Sequence, residues 1–528
     1  MINVKIERST KVNEIPFSNI MLKENAYKKG LPNAGNYFKG ITQEQTSEDK
    51  MVRIKLYSDK STFLKDLKTD GLEIDEYKSA MHICGFKFKK GSFMKFNNNE
   101  VLVGSGGVKS QSDWRQLGFD IIKYIRKTFP KCTTIRLERV VDSNSKQFFE
   151  GLFLADYNFQ KYKTKKKKVR DINFLVTPLI EENKNVKLQR ETFVDCIKEA
   201  SRKVVGQNLT RDWVNTTPEE ANSITITDYI KSRFNGKKNI EVKVYEKEDL
   251  EKLNMVGHLT VNRASKFPPR VVRITYTPKN FNEKENKVIV AVGKGLTYDS
   301  GGLSIKPGNH MTNMKCDKGG AMTLYGFADV LSRNNGKNKV VMYLAFAENM
   351  ISPDSYRPDD VVIHKNGVTS HIKNTDAEGR VVMFDSLCLA QEENPKIDTI
   401  FSIATLTGAA VYQFGNEAAG MVSKNNDLFK PFEEIGEIED EIFCEAKLHK
   451  FMLDGVNDDF ADISNTGTPN QGCQKAGLYL MNAITKKNIK KYIHLDIAGP
   501  TFVEKPFGTN PSGATGFGVR TLYEVFKD

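Results

Sequence analysis

The chain has 528 residues, 39% hydrophobic and 10% aromatic, with a formal net charge of +13. That length exceeds what one hydrophobic core serves, so two domains are expected, and no run approaches the roughly 20 apolar residues of a membrane helix. Residues 1–17 lack the apolar core of a secretory signal, and seven cysteines without a CxxC pair argue against a cysteine zinc site or a disulfide framework, so the cytoplasm is the default location.

In the first third, Met1–Glu7, Met51–Tyr57, Val101–Gly104 and Thr133–Arg139 read as strands, and Ser112–Thr128 and Ser145–Asp156 as helices. This predicts an N-terminal α/β domain over residues 1–180 without a catalytic constellation. The densest basic run, Lys161–Arg170, marks the junction. Together with the net charge it raises a nucleic-acid-binding reading. No zinc-finger or RNP-like signature accompanies it, and lysines are scattered elsewhere, so a solvated surface or linker is the preferred account. A helical pattern over Arg190–Trp213 then ends at the breaker Asn215–Pro218.

Beyond that, Val271–Tyr276, Lys287–Val292, Lys339–Ala345, Thr399–Ala404 and Tyr492–Ile497 are apolar runs of strand length. Gly319–Ser332 and Arg380–Gln391 read as intervening helices. The pattern predicts an α/β catalytic domain over residues 181–528, with a mostly parallel central sheet flanked by helices. Ligands bind such sheets at the carboxyl ends of strands. Lys294 and Thr405 are read as lying just beyond two of them.

The chemistry concentrates between Lys294 and Arg380. The first block, GKGLTYDSGG through MKCDKGG, carries Lys294, Asp299, Lys306 and Asp317; the second, NTDAEGR, carries Asp376, Glu378 and Arg380. The four acids are hard oxygen ligands suited to zinc, manganese, cobalt or magnesium. Two cations about 3.5–4 Å apart need bridging carboxylates, for which Asp299 and Glu378 are candidates. In an extended Asp-Ala-Glu segment both acids face the same way; the bland alternative is a pair of acids opening a helix, favoured by its dipole. Lys294 ligates a metal only as a neutral amine, which nearby cations favour. A phosphate-gripping Walker A lysine fails, because Gly295 stands where Ser or Thr is needed. Lys306 could polarise a carbonyl and hold the oxyanion, and Arg380 could hold a carboxylate or bicarbonate; simple charge balance is the competing account of both. No histidine pair has ligand spacing, although His310 lies within the first block. Cys316, with no partnered histidine, reads as a packed thiol.

These segments resemble the leucyl aminopeptidase family, the cytosol aminopeptidases. NTDAEGR and GKGLTYDSGGLSIK carry the resemblance, supported by Glu150–Lys163, RDWVNTTP at 211–218, ATLTGA at 404–409 and GATGFGVRTL near the end. It covers roughly residues 145–528. The resemblance implies a metal-dependent aminopeptidase acting on short peptides with a free N-terminus. One divalent cation (Zn, Mn or Co) would use Lys294, Asp299, Asp317 and Glu378, and a second Asp299, Glu378 and Asp376. Lys306 would bind the substrate carbonyl, and Arg380 a bicarbonate that takes a proton from the attacking, metal-bridging water. Met314, Thr405, Gly408, Ala498 and Thr501 would form a pocket for a leucine-like first residue. The family also implies a homohexamer with active sites facing an inner cavity. Lys318 departs from the neutral residue usual after Asp317. The alternative is a nucleic-acid-binding protein using its basic surface, with peptidase activity secondary.

Overall fold

The computed structural model describes residues 2–6, 51–69, 78–79, 81–82, 86–95, 99–141, 145–166, 172–179, 186–468 and 470–528. Most of the 1–17 stretch, both ends of the first expected strand and residues 167–170 of the basic run lie outside the described residues. The chain divides into two compact units, Met1–Val205 with Gly508–Asn510, and Gly206–Phe507 with Pro511–Asp528.

The first unit is built on strands β1 (Ile2–Ile6), β2 (Met51–Tyr57), β3 (Phe93–Lys95), β4 (Glu100–Gly104), β5 (Thr134–Val141) and β6 (Ile172–Leu179). They form one sheet in the order β1-β6-β5-β2-β4-β3. Every pairing is parallel except β3 with β4. Val52, Ile54 and Leu56 alternate into the core, the period-two pattern a strand imposes. The helix Gln111–Thr128 starts at Ser110, which forms a capping box with Asp113. It packs Leu117 and Ile121 into the same core as Phe148 and Phe149 of the helix Ser145–Leu154. A Cβ on Gly118 or Gly151 would collide with the backbone of the facing helix, so both positions require glycine. Glu150, the first residue of one family-like pattern, is fully buried and pairs with Arg115 at 2.9 Å and Lys203 at 2.7 Å.

The second unit carries β7 (Ile240–Tyr245), β8 (Arg270–Tyr276), β9 (Val288–Asp299), β10 (Lys339–Asn349), β11 (Val361–Ile363), β12 (Thr369–His371), β13 (Thr399–Ala404), β14 (Ala418–Ser423), β15 (Ile442–Glu445), β16 (Ile463–Ser464) and β17 (Tyr492–Asp496). Its main sheet runs β15-β14-β17-β13-β9-β10-β8-β7. The expected parallel core is there: β17, β13, β9 and β10 are mutually parallel. Towards both edges the sheet turns antiparallel, at β10–β8, β8–β7 and β17–β14. β11, β12 and β16 form a small separate sheet.

Two local expectations are corrected. β9 runs to Asp299, so Lys294 lies inside a strand rather than beyond one; Thr405 does follow β13 directly. Asp-Ala-Glu is not extended: residues 375–376 form a turn, Ala377 is the N-cap, and Glu378 opens the helix Glu378–Glu393. The helix Gly319–Arg333 lies close against the sheet, because a Cβ on Gly320 would run into the Ile403 carbonyl oxygen and one on Gly293 would sit 2.8 Å from Ala321 Cα.

Candidate active site

The motif residues meet at the carboxyl end of β9. Asp299 ends that strand, Asp317 sits in the 3-10 turn Met314–Lys318, and Asp376 and Glu378 lie on the turn into the next helix. One carboxylate oxygen from each of Asp299, Asp376 and Glu378 falls within 4.8 Å of the others. Lys294 Nζ lies 2.9 Å from both Asp317 Oδ1 and Glu378 Oε1, and donates to the Thr405 carbonyl at 2.9 Å. Lys306 Nζ bridges Asp299 at 2.7 Å and Asp376 at 2.5 Å. Two acidic pairs are thus each spanned by one lysine.

Residues assigned no role from the sequence hold this arrangement. Register places Asn349, the last residue of β10, opposite Asp299. Its amide donates to Asp299 Oδ1 at 2.8 Å and to the Thr375 carbonyl at 3.0 Å, and Gly301 N–H donates to the same Asp299 oxygen. Ser304 N–H donates to Thr375 Oγ1, Thr375 N–H to Ser304 Oγ, and Thr375 Oγ1 to the Gly301 carbonyl. These bonds zip the two motif loops together across a turn at Gly301 and Gly302, where φ is +86° and +63°. The only hint in the sequence was a polar Asn closing an apolar run, which the expected strand ended too early to include.

Arg380 is buried, and its Nη1 donates to the Asn465 carbonyl at 2.8 Å. Asn465 in turn accepts from Lys373 N–H and Asn374 N–H and donates to the Asn374 carbonyl. Among the described residues the Arg380 Nε has no hydrogen-bond partner, which leaves a donor for an anion.

Burial, reinforced by the Asp299 charge, pushes Glu378 up to about 8. Burial likewise pushes Asp317 up to about 6, against the opposing pull of Lys294. Asp376 is raised by burial and then by Asp299. Burial acts to lower the two lysines, but the carboxylates around them override it and hold both above the ordinary lysine value. Asp317 Oδ2 and Glu378 Oε2 are buried with no hydrogen-bond donor among the described residues. Acceptor oxygens converging without donors, in a set of carboxylates plus one amine, fit hard or borderline divalent cations.

The expected pocket residues flank the ends of β13 and β17. Thr405 Oγ1 donates to Asp317 Oδ1 at 2.8 Å, and a Cβ built on Gly319 would touch the methyls of both Thr405 and Thr501, which puts those two side by side. Gly408 opens the helix Gly408–Phe414, with free space where its Cβ would be. Asp496 accepts from Thr407 Oγ1, Leu406 N–H and Ala498 N–H, tying the Gly408 loop to Ala498. Met314 is half-buried at the head of the Asp317 turn.

Lys318 is fully buried and donates to the carbonyls of Lys315 at 2.5 Å and Thr216 at 3.3 Å. Burial drives it down to about 7. Cys316 is half-buried, and burial followed by the Asp317 charge pushes its thiol up to about 11. His310 is exposed; His364 and His371 bond to Asp385 and Asp458, while His258 and His494 contact the Phe346 carbonyl and Ser402 Oγ. Among the described residues no helix is long and apolar enough to cross a membrane.

Comparison with known proteins gives consistent matches. The catalytic-domain profile of the cytosol aminopeptidase family matches residues 208–523. A probable cytosol aminopeptidase of Helicobacter hepaticus is 34% identical over 412 residues, covering 78% of this chain and 84% of that protein. One from Campylobacter jejuni is 32% identical over 473 residues, 87% of this chain and 96% of its own length. Among solved structures, the bottromycin maturation enzyme BotP in complex with Mn superposes with a TM-score of 0.76 at 26% identity, covering 91% of this chain and 99% of that one.

Proposed function

The chain belongs to the cytosol aminopeptidase family and is a metal-dependent aminopeptidase; on that premise we propose that it removes leucine-like first residues from short peptides, as a cytoplasmic homohexamer. The observation that carries the reading is the meeting of Asp299, Asp376 and Glu378 within 4.8 Å, beside Lys306 and the buried Arg380. Catalysis belongs to residues 181–528.

Two divalent cations (Zn, Mn or Co) are assigned to this cluster, one held by Lys294, Asp299, Asp317 and Glu378, the other by Asp299, Asp376 and Glu378. Such a pair supplies Lewis acidity, which polarises a peptide carbonyl and acidifies water. Lys306, set on the loop after the Gly301–Gly302 turn, offers its ammonium to the carbonyl oxygen and holds the negative charge that develops there. Arg380 would hold a bicarbonate through its Nε face, where that anion would supply a general base. Met314, Thr405, Gly408, Ala498 and Thr501 line the pocket for the first side chain; the open space over Gly408 suits a branched aliphatic group. A free α-amine would serve as a ligand to one of the cations, which accounts for a requirement for an unblocked N-terminus. A nucleic-acid role is not carried forward, since no observation favours it over peptide hydrolysis.

The test is hydrolysis of leucyl-amidomethylcoumarin by chelated protein, before and after adding zinc, manganese or cobalt, with the N-acetylated substrate as control. Metal-restored cleavage of the free-amine substrate alone is expected. No cleavage with any metal by folded protein would overturn the reading.

A further inference from the structure

We propose that the first unit carries a second, non-catalytic site: a hollow at the carboxyl ends of β2 and β4 that binds a nucleotide-sized polyphosphate. The hollow has a volume of about 1130 Å³, and among the described residues the ionisable side chains lining it are Lys60, Lys78, Lys87, Lys89, Lys90 and His82. β2 and β4 pair in parallel, so the segments that follow them, Ser58–Lys60 and Gly106–Gly107, open on the same edge of the sheet. In parallel α/β sheets that edge is where ligands sit.

The lysines stand on a fixed frame. Gly106 N–H donates to the Phe88 carbonyl at 2.7 Å and Lys90 N–H to the Gly106 carbonyl at 2.8 Å, fastening the segment 86–90 to the loop after β4. A Cβ on Gly106 would collide with the carbonyls of Phe88 and Ser58, so this three-way backbone junction requires glycine. Along Phe86-Lys87-Phe88-Lys89 the side chains alternate. The two aromatics pack on the cluster of Tyr57, Phe63 and Met94, with Phe88 5.6 Å from Phe63, and the two lysines stay exposed. Two described acids lie close by. Asp113 pairs with Lys90, while the Asp59 carboxylate accepts from Ser58, Ser61 and Thr62.

Ammonium groups that line one concavity can recognise phosphate as point charges. The space is of the order that holds one nucleotide, above the roughly 300–1,000 Å³ of common ligand sites. Its partly apolar floor of Met81, Phe86 and Phe88 gives a base something to lie on. A nucleic-acid strand needs instead a basic groove that tracks its backbone, not a single hollow.

The experiment is calorimetric titration of the metal-loaded full chain with ATP, with inorganic triphosphate and with a single-stranded oligonucleotide. Wild type is compared with the double variant Lys87→Glu/Lys89→Glu and, on a separate element, Lys60→Gln. ATP and triphosphate should bind wild type and weaken at least about tenfold in the double variant, the order expected when charge-assisted contacts are lost. Aminopeptidase activity should stay at the wild-type level, and an unchanged circular-dichroism spectrum and melting profile report an intact first unit. If the double variant does not fold, Lys60→Gln must show the same direction of loss. No binding of either probe, unchanged affinity in the folded variants, or an oligonucleotide that binds more tightly than ATP and displaces it would each overturn the proposal.

Discussion

Gly379, between Glu378 and Arg380, offers the sharpest test of the site geometry. A Cβ there would stand 2.7 Å from both Cδ and Nζ of Lys294 and closer still to its Cε. Apolar atoms ordinarily approach to about 4 Å, so the lysine stem must retreat by about 1 Å or more. Its amine holds three contacts of 2.9 Å, to Asp317, Glu378 and the Thr405 carbonyl, and a retreat of that size carries it out of hydrogen-bond range of at least one. Each charge-assisted bond is worth ~1.5–3 kcal/mol, and a group misplaced by about 1 Å at a reacting centre costs on the order of 10²-fold in rate. The fold itself loses little, because alanine is favoured over glycine inside a helix by ~1 kcal/mol. Gly379→Ala should therefore lower kcat/KM on a leucyl amide by about 10²-fold or more. It should weaken manganese binding in calorimetry and move the thermal midpoint by no more than ~4 °C. Full activity with unchanged manganese affinity would refute the assignment of Lys294 to the cation site.

Three further outcomes follow from the same geometry. Glu378, up at about 8, keeps its proton near pH 7 in protein stripped of cations, and a cation favours the ionised form. Manganese binding should thus release protons and tighten as pH rises toward 8; equal binding heats in buffers of different ionisation enthalpy would contradict this. Asn349→Ala leaves Asp299 Oδ1 with only the Gly301 N–H, so manganese affinity should fall about tenfold, for the loss of one hydrogen bond to a charged group. An unchanged isotherm would show that Asn349 does not position the carboxylate. Lys318, lowered to about 7 from an unfolded value near 10.5, destabilises the fold by an amount on the order of 5 kcal/mol below pH 7, a cost that fades as pH rises toward 10.5. Lys318→Met should accordingly raise the urea midpoint at pH 7, with the gain shrinking towards pH 10; a pH-independent difference would refute the account.

The sequence made the central strands and both buried helices legible because they are continuous apolar runs. It misled at β9, where Gly293, Gly295 and Lys294 look like a loop. The structure explains these glycines: a Cβ at 293 would press on Ala321 and one at 295 on the ring of Phe346, so glycine here serves packing within the sheet rather than a turn. β7, β14 and β15 were not foreseen; Ile240–Tyr245 is a half-exposed edge and Ala418–Ser423 is built largely from small residues, and neither gives a strong periodic signal. The acids of the site were legible because they fall in two contiguous motifs. Asn349 and Asn465 were not, because each acts through hydrogen bonds to partners at least 26 residues away, and such pairings leave no mark on local spacing. Of the two readings of Asp-Ala-Glu, the backbone takes the helix start, and Glu378, which opens that helix, faces Lys294.

That helix has a dynamic consequence. Every residue from Glu378 to Ala390 is buried, so it has no wet face along which to fray or hinge. Its amides can reach solvent only when the sheet and helices around it separate, which ties the Glu378–Arg380 wall to the slowest-exchanging part of the second unit. Any adjustment of the site to differently shaped peptides must come from its other walls, the loops around Lys306 and Thr405. The body of that helix, beyond its first turn, would report its opening in hydrogen exchange only at the free energy of global unfolding.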